Sequence, residues 1–279
     1  MDVRGLRYHV RIGGSGKPVL LLHGFPETGR SFRHNVTALL DAGRTVLVPD
    51  LKGCGNSDKP LPGSPFGDYR VSTVSLEIAD LIAALGYEQV DVVGHDIGGV
   101  TLSAMMATAP ERIDRAVLLN SICRRLLLHK VGHFCWLNIP WLAEHQFSRD
   151  PKGFVLSFLN RWSHRAEAFD EEIVDAYVED FQRDDSFRCV LGYFRAIMRD
   201  VPFYLRVLRE PTPRTGSFPP TLVLFGALDP IFPPTMARWA HADIVGSQMV
   251  LVEGAGHFVH AEAPDEVNPR IVAFLEDSD

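Results

Sequence analysis

The chain alternates short runs of apolar residues with longer segments in which apolar residues recur at helical spacing. Short continuous apolar runs that end in turn formers are typical of buried parallel strands. On this pattern we predict strands over residues 5–12, 17–22, 44–49, 90–93, 116–119, 221–226 and 248–252. We likewise predict helices over residues 31–40, 72–85, 100–109 and 264–275.

The pattern changes in the middle of the chain. From about residue 121 to about residue 213 the sequence has tryptophans, mixed charge and helical periodicity, without a clear buried strand. The alternation on both sides predicts an α/β fold with a mostly parallel central sheet flanked by helices. We therefore divide the chain into a first core part (1–120), a helical insertion (121–213) and a second core part (214–279).

A glycine-rich turn between a predicted strand and a predicted helix carries the most informative side chain. The apolar run 90–93 leads into Gly94-His95-Asp96-Ile97-Gly98, and a small-residue helical segment follows. This is the setting of a nucleophile elbow, in which the glycines leave room for a sharp turn that raises one side chain above the sheet. That side chain is Asp96, and the simpler alternative is a surface aspartate in a glycine-rich turn.

An aspartate at an elbow indicates a different reaction from the usual serine. A carboxylate is already ionised at neutral pH and can attack an electrophilic sp³ carbon, which leaves an ester on the protein. Water then attacks a carbonyl that belongs to the enzyme. Asp96 therefore favours alkyl transfer from epoxides or alkyl halides over hydrolysis of substrate esters.

Two more chemically useful side chains directly follow predicted strands. Asp229 comes just after the run 221–226, and His257 comes just after the run 248–252. In an open α/β sheet, ligands bind outside the carboxyl ends of the strands, so both side chains are expected near Asp96. Taken singly, they would be an ordinary turn residue and a loop histidine. The order nucleophile, acid, histidine favours a catalytic triad.

The segment His23-Gly24-Phe25-Pro26 supplies a candidate oxyanion hole. We expect the backbone N–H groups of Phe25 and Ile97 to form it, because this role needs no particular side chain. Several polar residues near these motifs are instead expected to have structural roles: His23, Asp50, Asp58 and Glu262.

These motifs together resemble the α/β-hydrolase superfamily, and within it the branch with an aspartate nucleophile. That branch contains epoxide hydrolases and haloalkane or haloacetate dehalogenases. The resemblance implies that Asp96 is the nucleophile, that His257 activates water against the ester, and that Asp229 orients His257. It also implies that the insertion is a cap over the substrate. The motifs that carry it are residues 23–26, 50–58, 94–99, 229–230 and 256–257.

Three positions depart from the dehalogenase patterns. Haloalkane dehalogenases usually have a tryptophan after the nucleophile and often an asparagine in the oxyanion loop, where this chain has Ile97 and Phe25. Haloacetate dehalogenases have arginines directly after the nucleophile and three residues later, where this chain has Ile97 and Val100. The sequence therefore shows neither a halide site nor a carboxylate clamp.

The cap acids of epoxide hydrolases, usually two tyrosines, are also incompletely matched. The resembling segment places Phe194 where a tyrosine belongs, with Tyr193 one position early, a shift of about 100° around a helix. The other acid position falls near His133, with Phe134 and Trp136 beside it as candidate substrate contacts. His133 can donate to an alkoxide or to a halide, or it can be a structural polar residue.

Three functions are compatible with these elbow, triad and cap residues. The first is an epoxide hydrolase-like enzyme in which Asp96 opens the ring and His133 or Tyr193 protonates its oxygen. The second is a haloacid or haloalkane dehalogenase with an unusual halide site in the cap. The third is a biosynthetic-pathway protein that binds or rearranges a larger natural product. None of these needs a metal or an organic cofactor.

The amino-acid composition of the chain restricts the kinds of partner that we expect it to bind. The 279 residues include 46% hydrophobic and 23% charged residues, and the formal net charge of −7 argues against nucleic-acid or anionic-membrane binding. The first residues lack the apolar region of a signal peptide, and we find no membrane-spanning run. Because the four cysteines show no paired spacing, we expect free thiols and a cytoplasmic location. We also expect a small-molecule substrate and a monomer or homodimer.

Overall fold

A seven-stranded sheet forms the centre of the molecule. The computed structural model describes residues 1–121, 123, 125, 132–209 and 218–277, without the side chains of residues 134, 198, 208 and 209. The strand order is β3-β5-β4-β6-β7-β8-β9; β3 pairs antiparallel with β5, and all other neighbours are parallel. The bounds of the strands are β1 Asp2–Val3, β2 Leu6–Arg7, β3 Val10–Gly13, β4 Pro18–Leu22, β5 Thr45–Pro49, β6 Val90–His95, β7 Ile113–Leu119, β8 Thr221–Gly226 and β9 Gln248–Val252.

Helices cover both faces of this sheet, so the inner strands are buried on both sides, as their continuous apolar runs predicted. Side chains of α2, α3 and α9 belong to the core on one face, and those of α1 and α11 belong to the core on the other. The helix bounds are α1 Arg33–Asp41, α2 Val71–Ala84, α3 Ile97–Thr108, α4 Gly132–Leu137, α5 Leu142–Arg149, α6 Pro151–Trp162, α7 Glu171–Gln182, α8 Ser186–Arg209, α9 Pro234–Asp243, α10 Val259–Glu262 and α11 Pro264–Glu276.

The predicted first strand was wrong as a single element. It divides into β2, which pairs with β1, and β3, which joins the main sheet. Between them the backbone turns to the loop after β5, because the carbonyls of Arg7 and His9 accept from the N–H groups of Asp58 and Asp50 at 2.9 and 3.0 Å. Helix α9 was not predicted, whereas the other predicted strands and helices are confirmed within a few residues.

The helices α4 to α8 lie between β7 and β8 in the chain and meet the carboxyl ends of the strands. The carbonyl of Trp162, at the end of α6, accepts from the backbone N–H of His257 at 3.0 Å. The Glu262 carboxylate accepts from the backbone N–H groups of His164 and Arg165 at 2.8 and 2.9 Å. These bonds fix the helical segment above the edge of the sheet where the predicted triad residues lie.

Two predictions about the chain as a whole can be compared with the structure. The four cysteines are thiols that are not joined in disulfides, as predicted: Cys54, Cys123, Cys135 and Cys189. Within the described ranges, every helix is too short or too polar to span a lipid bilayer.

Candidate active site

Asp96 lies at a sharp turn between β6 and α3, so the predicted strand–turn–helix geometry is confirmed. Its backbone has φ +47° and ψ −114°, a conformation that side-chain-bearing residues rarely adopt. The flanking glycines permit the turn: a Cβ at Gly94 would lie 2.6 Å from the Gly98 carbonyl oxygen, and one at Gly98 would collide with the carbonyl of Leu22. The strained turn holds the Asp96 carboxylate above the sheet edge.

The carboxylate of Asp96 occupies the place where an oxyanion would be stabilised. Its Oδ2 accepts from the backbone N–H of Phe25 at 2.9 Å. Ile97 is the first residue of α3, so its N–H belongs to the positive end of that helix. Ser121 donates from Oγ to the Asp96 carbonyl at 2.9 Å and so fixes the turn from the side of β7. The carboxylate has only a small exposed fraction.

His257 and Asp229 lie beside Asp96 in the order that the sequence predicted. Nδ1 of His257 is 2.9 Å from Oδ2 of Asp229, and Nε2 of His257 is 4.0 Å from Oδ1 of Asp96. Among the described groups, Nε2 has no hydrogen-bond partner. This nitrogen is therefore available to a water molecule or a substrate next to the Asp96 carboxylate.

Asp229 is held by a residue that sequence reasoning missed. Its Oδ1 accepts from the backbone N–H groups of Ile231 and Phe232 at 2.7 and 2.9 Å. Its Oδ2 accepts from Nδ2 of Asn120 at 2.7 Å, in addition to facing His257. Asn120 directly follows β7, so its place at a strand end was the one available signal. All acceptor directions of the buried carboxylate thus point at fixed donors.

The charge on His257 reflects its two carboxylate neighbours. Burial alone would lower the pKa of His257, but the charge and hydrogen bond of Asp229, together with the charge of Asp96, raise it to about 9. This pKa favours the protonated form of the imidazole, which lies between two carboxylates. Loss of the charge on Asp96 would shift the pKa of His257 downward.

The polar residues expected to be structural are confirmed as such. His23 accepts at Nε2 from the Leu51 N–H at 3.1 Å, and Asp50 contacts Arg11 and His9 at 2.7 and 2.9 Å. Asp58 accepts from the Arg7 N–H at 2.8 Å. Glu262 accepts from the backbone N–H groups of Gly256 and Phe258 at 2.8 and 3.0 Å. Glu262 thereby holds the loop that carries His257.

Aromatic rings form the wall between this polar edge and the cap. The ring of Trp162 is centred 5.4 Å from that of His257, and Phe25 packs against Phe158 and Phe194 at 5.0 and 5.2 Å. The Trp162 ring thus contacts the imidazole of His257 directly. A cavity of about 780 Å³ opens on the other side of this wall, with a mixed lining of Gly132, His133, Trp136, Gln146, Asp150, Phe154, Ser157, Phe158, Arg161, Trp162 and Ile231.

The four candidate cap residues fall in different places. His133 is half-buried on the cavity wall, with its ring 4.9 Å from Trp162, and burial followed by the charge of His257 lowers its pKa to about 4. Trp136 also lines the cavity and stacks on Phe154 at 5.6 Å. The side chain of Phe134 lies outside the described part of the structure.

Tyr193 is placed differently from what an acid requires. Its hydroxyl donates to the carbonyl of Lys52 at 2.9 Å, and its ring meets that of Tyr69 at 5.0 Å. Phe194 instead faces the site, with its ring against Phe25 and 6.3 Å from that of His133. The one-residue register difference thus turns the hydroxyl into the core, and this corrects the suggestion that Tyr193 protonates the substrate.

A buried group of donor atoms lies beneath the site. Among the described residues, Glu27, His95 and His260 bring ligand atoms within 4.8 Å of one another. However, Oε2 of Glu27 is only 2.9 Å from Nδ1 of His95. Two ligands of a tetrahedral zinc ion with bonds of about 2.0 Å would lie roughly 3.3 Å apart. The spacing is that of an ion pair, and the group needs no metal.

Comparison with known proteins agrees with this geometry. A family model for the alpha/beta hydrolase fold matches residues 17–264. Epoxide hydrolase 1 of Siraitia grosvenorii is 29% identical over 98% of this chain and 96% of its own length. The soluble epoxide hydrolase of Corynebacterium sp. (strain C12) is 27% identical over 98% of this chain and 95% of its own length.

A solved structure extends the similarity to three dimensions. An epoxide hydrolase from an endophytic Streptomyces superposes with a TM-score of 0.82 at 25% identity, covering 99% of this chain and 94% of the other. The chain belongs to the α/β-hydrolase family, as its motifs predicted, and it is an enzyme, a hydrolase.

Proposed function

We propose that this hydrolase opens epoxides through a covalent ester on Asp96 and releases vicinal diols. One observation carries the proposal: the Asp96 carboxylate has one oxygen against the Phe25 N–H at 2.9 Å and the other 4.0 Å from Nε2 of His257, which Asp229 orients. The relatives named epoxide hydrolases support this choice of substrate.

The first step is ring opening. An Asp96 oxygen attacks one epoxide carbon, the C–O bond of the ring breaks, and the ring oxygen leaves as an alkoxide that takes up a proton from solvent. His133 can stabilise this alkoxide through a hydrogen bond, because its imidazole lies on the aromatic cavity wall next to Trp162. With a pKa of about 4, His133 is neutral near pH 7 and acts through its N–H as a hydrogen-bond donor.

The second step is hydrolysis of the ester. His257 takes a proton from water at Nε2, and the water oxygen attacks the Asp96 carbonyl carbon. The oxyanion that forms at Oδ2 is stabilised by the Phe25 N–H and, we infer, by the Ile97 N–H. Collapse breaks the ester C–O bond, and the departing diol oxygen takes the proton from His257. Asp229 stabilises the intervening imidazolium.

Trapping of the ester tests the proposal. A His257→Gln variant lacks the base of the second step, so the ester should accumulate during incubation with a panel of epoxides. Intact-protein mass should rise by the whole mass of the epoxide, and peptide mapping should place the adduct on Asp96. The double variant with Asp96→Ala is the control and should gain no mass.

The same measurement separates the rival functions. A dehalogenase would gain from alkyl halides or haloacids an adduct lighter than the reagent by one hydrogen halide, and would not react with epoxides. Absence of any adduct on a folded His257→Gln protein, across both panels, would favour a non-covalent binding protein for a larger natural product. Either result would overturn the proposed function.

A further inference from the structure

Three loops form the site, and each carries one residue of the proposed mechanism. Each loop also has a buried polar residue within three positions of that residue. Glu27 lies two residues after Phe25, His95 directly precedes Asp96, and His260 lies three residues after His257. Glu27, His95 and His260 are all fully buried and form one cluster below the site. The proposed reaction mechanism leaves this cluster unused.

His95 lies on the loop of Asp96 and contacts the other two loops. Its Nε2 lies 3.0 Å from the backbone carbonyl oxygen of His257. A carbonyl can only accept, so Nε2 must carry a proton and donate it. Its Nδ1 lies 2.9 Å from Oε2 of Glu27, at hydrogen-bond distance but off the preferred line, so this contact is an ion pair with a bent angle.

Glu27 has a second contact within the cluster. Its Oε1 lies 3.5 Å from Nε2 of His260, and its Oε2 lies 2.9 Å from Nδ1 of His95. Burial would raise the pKa of Glu27, but the imidazoles of His260 and His95 bring it well below its ordinary value. The buried carboxylate therefore holds the His95 ring at Nδ1, while Nε2 on the other side of the ring faces the His257 carbonyl.

We propose that His95, held by Glu27, is a positioning residue that sets the backbone of His257 against Asp96. The proposal rests on the proposed function, since it assigns His257 the role of base. His95 touches no substrate atom. Its neighbour in the chain is the nucleophile, and its Nε2–H fixes the carbonyl of the base, so the spacing between the two reacting residues depends on its side chain.

Two substitutions at His95 separate positioning from general stability. In His95→Gln, the amide nitrogen falls near the place of Nε2 and retains a donor for the His257 carbonyl. In His95→Asn, the shorter side chain places its donor near Nδ1 and loses that carbonyl. Both variants lose the imidazole ring and both disturb the same buried site. The measured quantities are the rates of ester formation and ester hydrolysis by intact mass, with the melting temperature.

We expect His95→Asn to slow ester hydrolysis by about 10- to 100-fold, because a displaced base loses its alignment with the attacked carbonyl. His95→Gln should recover most of that loss, and ester formation should change by less than about 3-fold in both variants. Asn35→Ala is the matched control, because Asn35 is buried and donates to the carbonyl of His260 at 3.5 Å without touching a reacting residue. It should lower the melting temperature and retain the hydrolysis rate.

Histidine nitrogen NMR provides a readout that needs no substrate. The Nε2–H of His95 should give a signal that exchanges slowly with solvent, because it donates to the buried carbonyl of His257. That signal should disappear in His95→Gln and persist in His260→Gln. A His257→Gln spectrum identifies the separate signals of the base.

Three outcomes would overturn the proposal. One is a His95 ring without a proton on Nε2, and another is equal slowing of both chemical steps in His95→Gln and His95→Asn in proportion to lost stability. A third is one tightly bound transition metal per chain, lost in His260→Gln, because the cluster would then be a metal site. Failure of the proposed function would give a different result. No ester would form in any variant, while the NMR result would remain as described.

Discussion

The two sides of the candidate active site hold their polar groups in different ways. On the sheet side, Asp96, Asp229 and His257 each contact buried, fixed partners, most of them backbone N–H groups or other triad members. On the cap side, the wall consists of aromatic rings and the half-buried imidazole of His133. Ring contacts tolerate changes in angle more easily than hydrogen bonds do.

This difference indicates where reaction type and substrate choice are decided. A carboxylate fixed at a strained turn can perform one kind of attack, whatever lies above it. The aromatic wall on the cap side can accept different apolar groups above the same sheet-side chemistry. Substitutions on the sheet side should therefore abolish individual steps, and substitutions in the cap should change rates with particular substrates.

Replacement of Asp96 should have the largest effect. Asp96→Ala and Asp96→Gly both remove the nucleophile, and turnover of an accepted epoxide should fall by at least about 10⁴-fold. Because the backbone of Asp96 has φ +47°, the glycine variant should be more stable than the alanine variant by about 1 kcal/mol. Turnover assays and thermal melts measure the two effects. Turnover in either variant within 10-fold of wild type would exclude the covalent mechanism.

The second prediction concerns the acid that orients the base. In Asp229→Asn, the amide oxygen would keep the backbone donors of Ile231 and Phe232, so the N–H₂ would replace Oδ2. It would then face both Nδ1 of His257 and Nδ2 of Asn120. His257 would then adopt the tautomer with the proton on Nε2, which cannot accept a proton from water. We expect ester hydrolysis to slow by about 10³- to 10⁴-fold, while ester formation changes little.

The pH dependence of ester hydrolysis should also change in Asp229→Asn. Hydrolysis requires neutral His257, so the wild-type rate of this step should rise with pH until the base is deprotonated. Loss of the Asp229 charge lowers the pKa of His257, and the residual rate in Asp229→Asn should level off at a lower pH. Single-turnover decay of the ester between about pH 5 and pH 10 measures both profiles. A wild-type profile that falls with rising pH would contradict the role of His257 as base.

The sheet side was easier to predict than the cap for physical reasons. Asp96, Asp229 and His257 directly follow buried apolar runs, and a parallel sheet brings such strand ends to one edge. Asn120 has the same location, but a single asparagine after a strand has no motif. Its function depends on β7 lying next to β8, which local patterns do not reveal.

In the cap, the direction of each side chain depends on how the helices pack. Tyr193 and Phe194 are adjacent on α8, and a turn of about 100° decides which one faces Phe25. The apolar pattern of the chain predicted helices there but could not set their rotation. The split of the first predicted strand has a similar cause, since hydrogen bonds to a distant loop draw the backbone away from the sheet.

The third prediction tests the cap directly. His133→Phe keeps the aromatic wall and removes the proposed donor, so ester formation from epoxides should slow by about 10²-fold. Ester hydrolysis on the trapped intermediate should change by less than about 3-fold. His133→Gln, which keeps an N–H donor, is the matched control and should recover part of the rate. Equal rates of ester formation in wild type and His133→Phe would show that another group stabilises the alkoxide.

The smallest effect is expected from the tyrosine that sequence similarity suggested as an acid. Tyr193→Phe leaves the ring in place and removes only the hydroxyl that donates to the Lys52 carbonyl. Loss of one buried hydrogen bond should lower the free energy of unfolding by about 1 kcal/mol, because the carbonyl keeps no equivalent donor at this position. Both chemical steps should stay within about 3-fold of wild type, as measured by single-turnover mass spectrometry and denaturant melts.

Position 194 gives the complementary change. Phe194→Tyr would place a hydroxyl on the ring that packs against Phe25 and faces His133, where an opening epoxide oxygen needs a donor. It should accelerate ester formation from epoxides but not from alkyl halides, since a departing halide needs no proton. If instead Tyr193→Phe slows ester formation by more than about 10-fold without a change in stability, the cap must rotate during catalysis. The sheet side of the site would then stay fixed, while a rotation of the cap helix would bring Tyr193 in place of Phe194 toward Asp96.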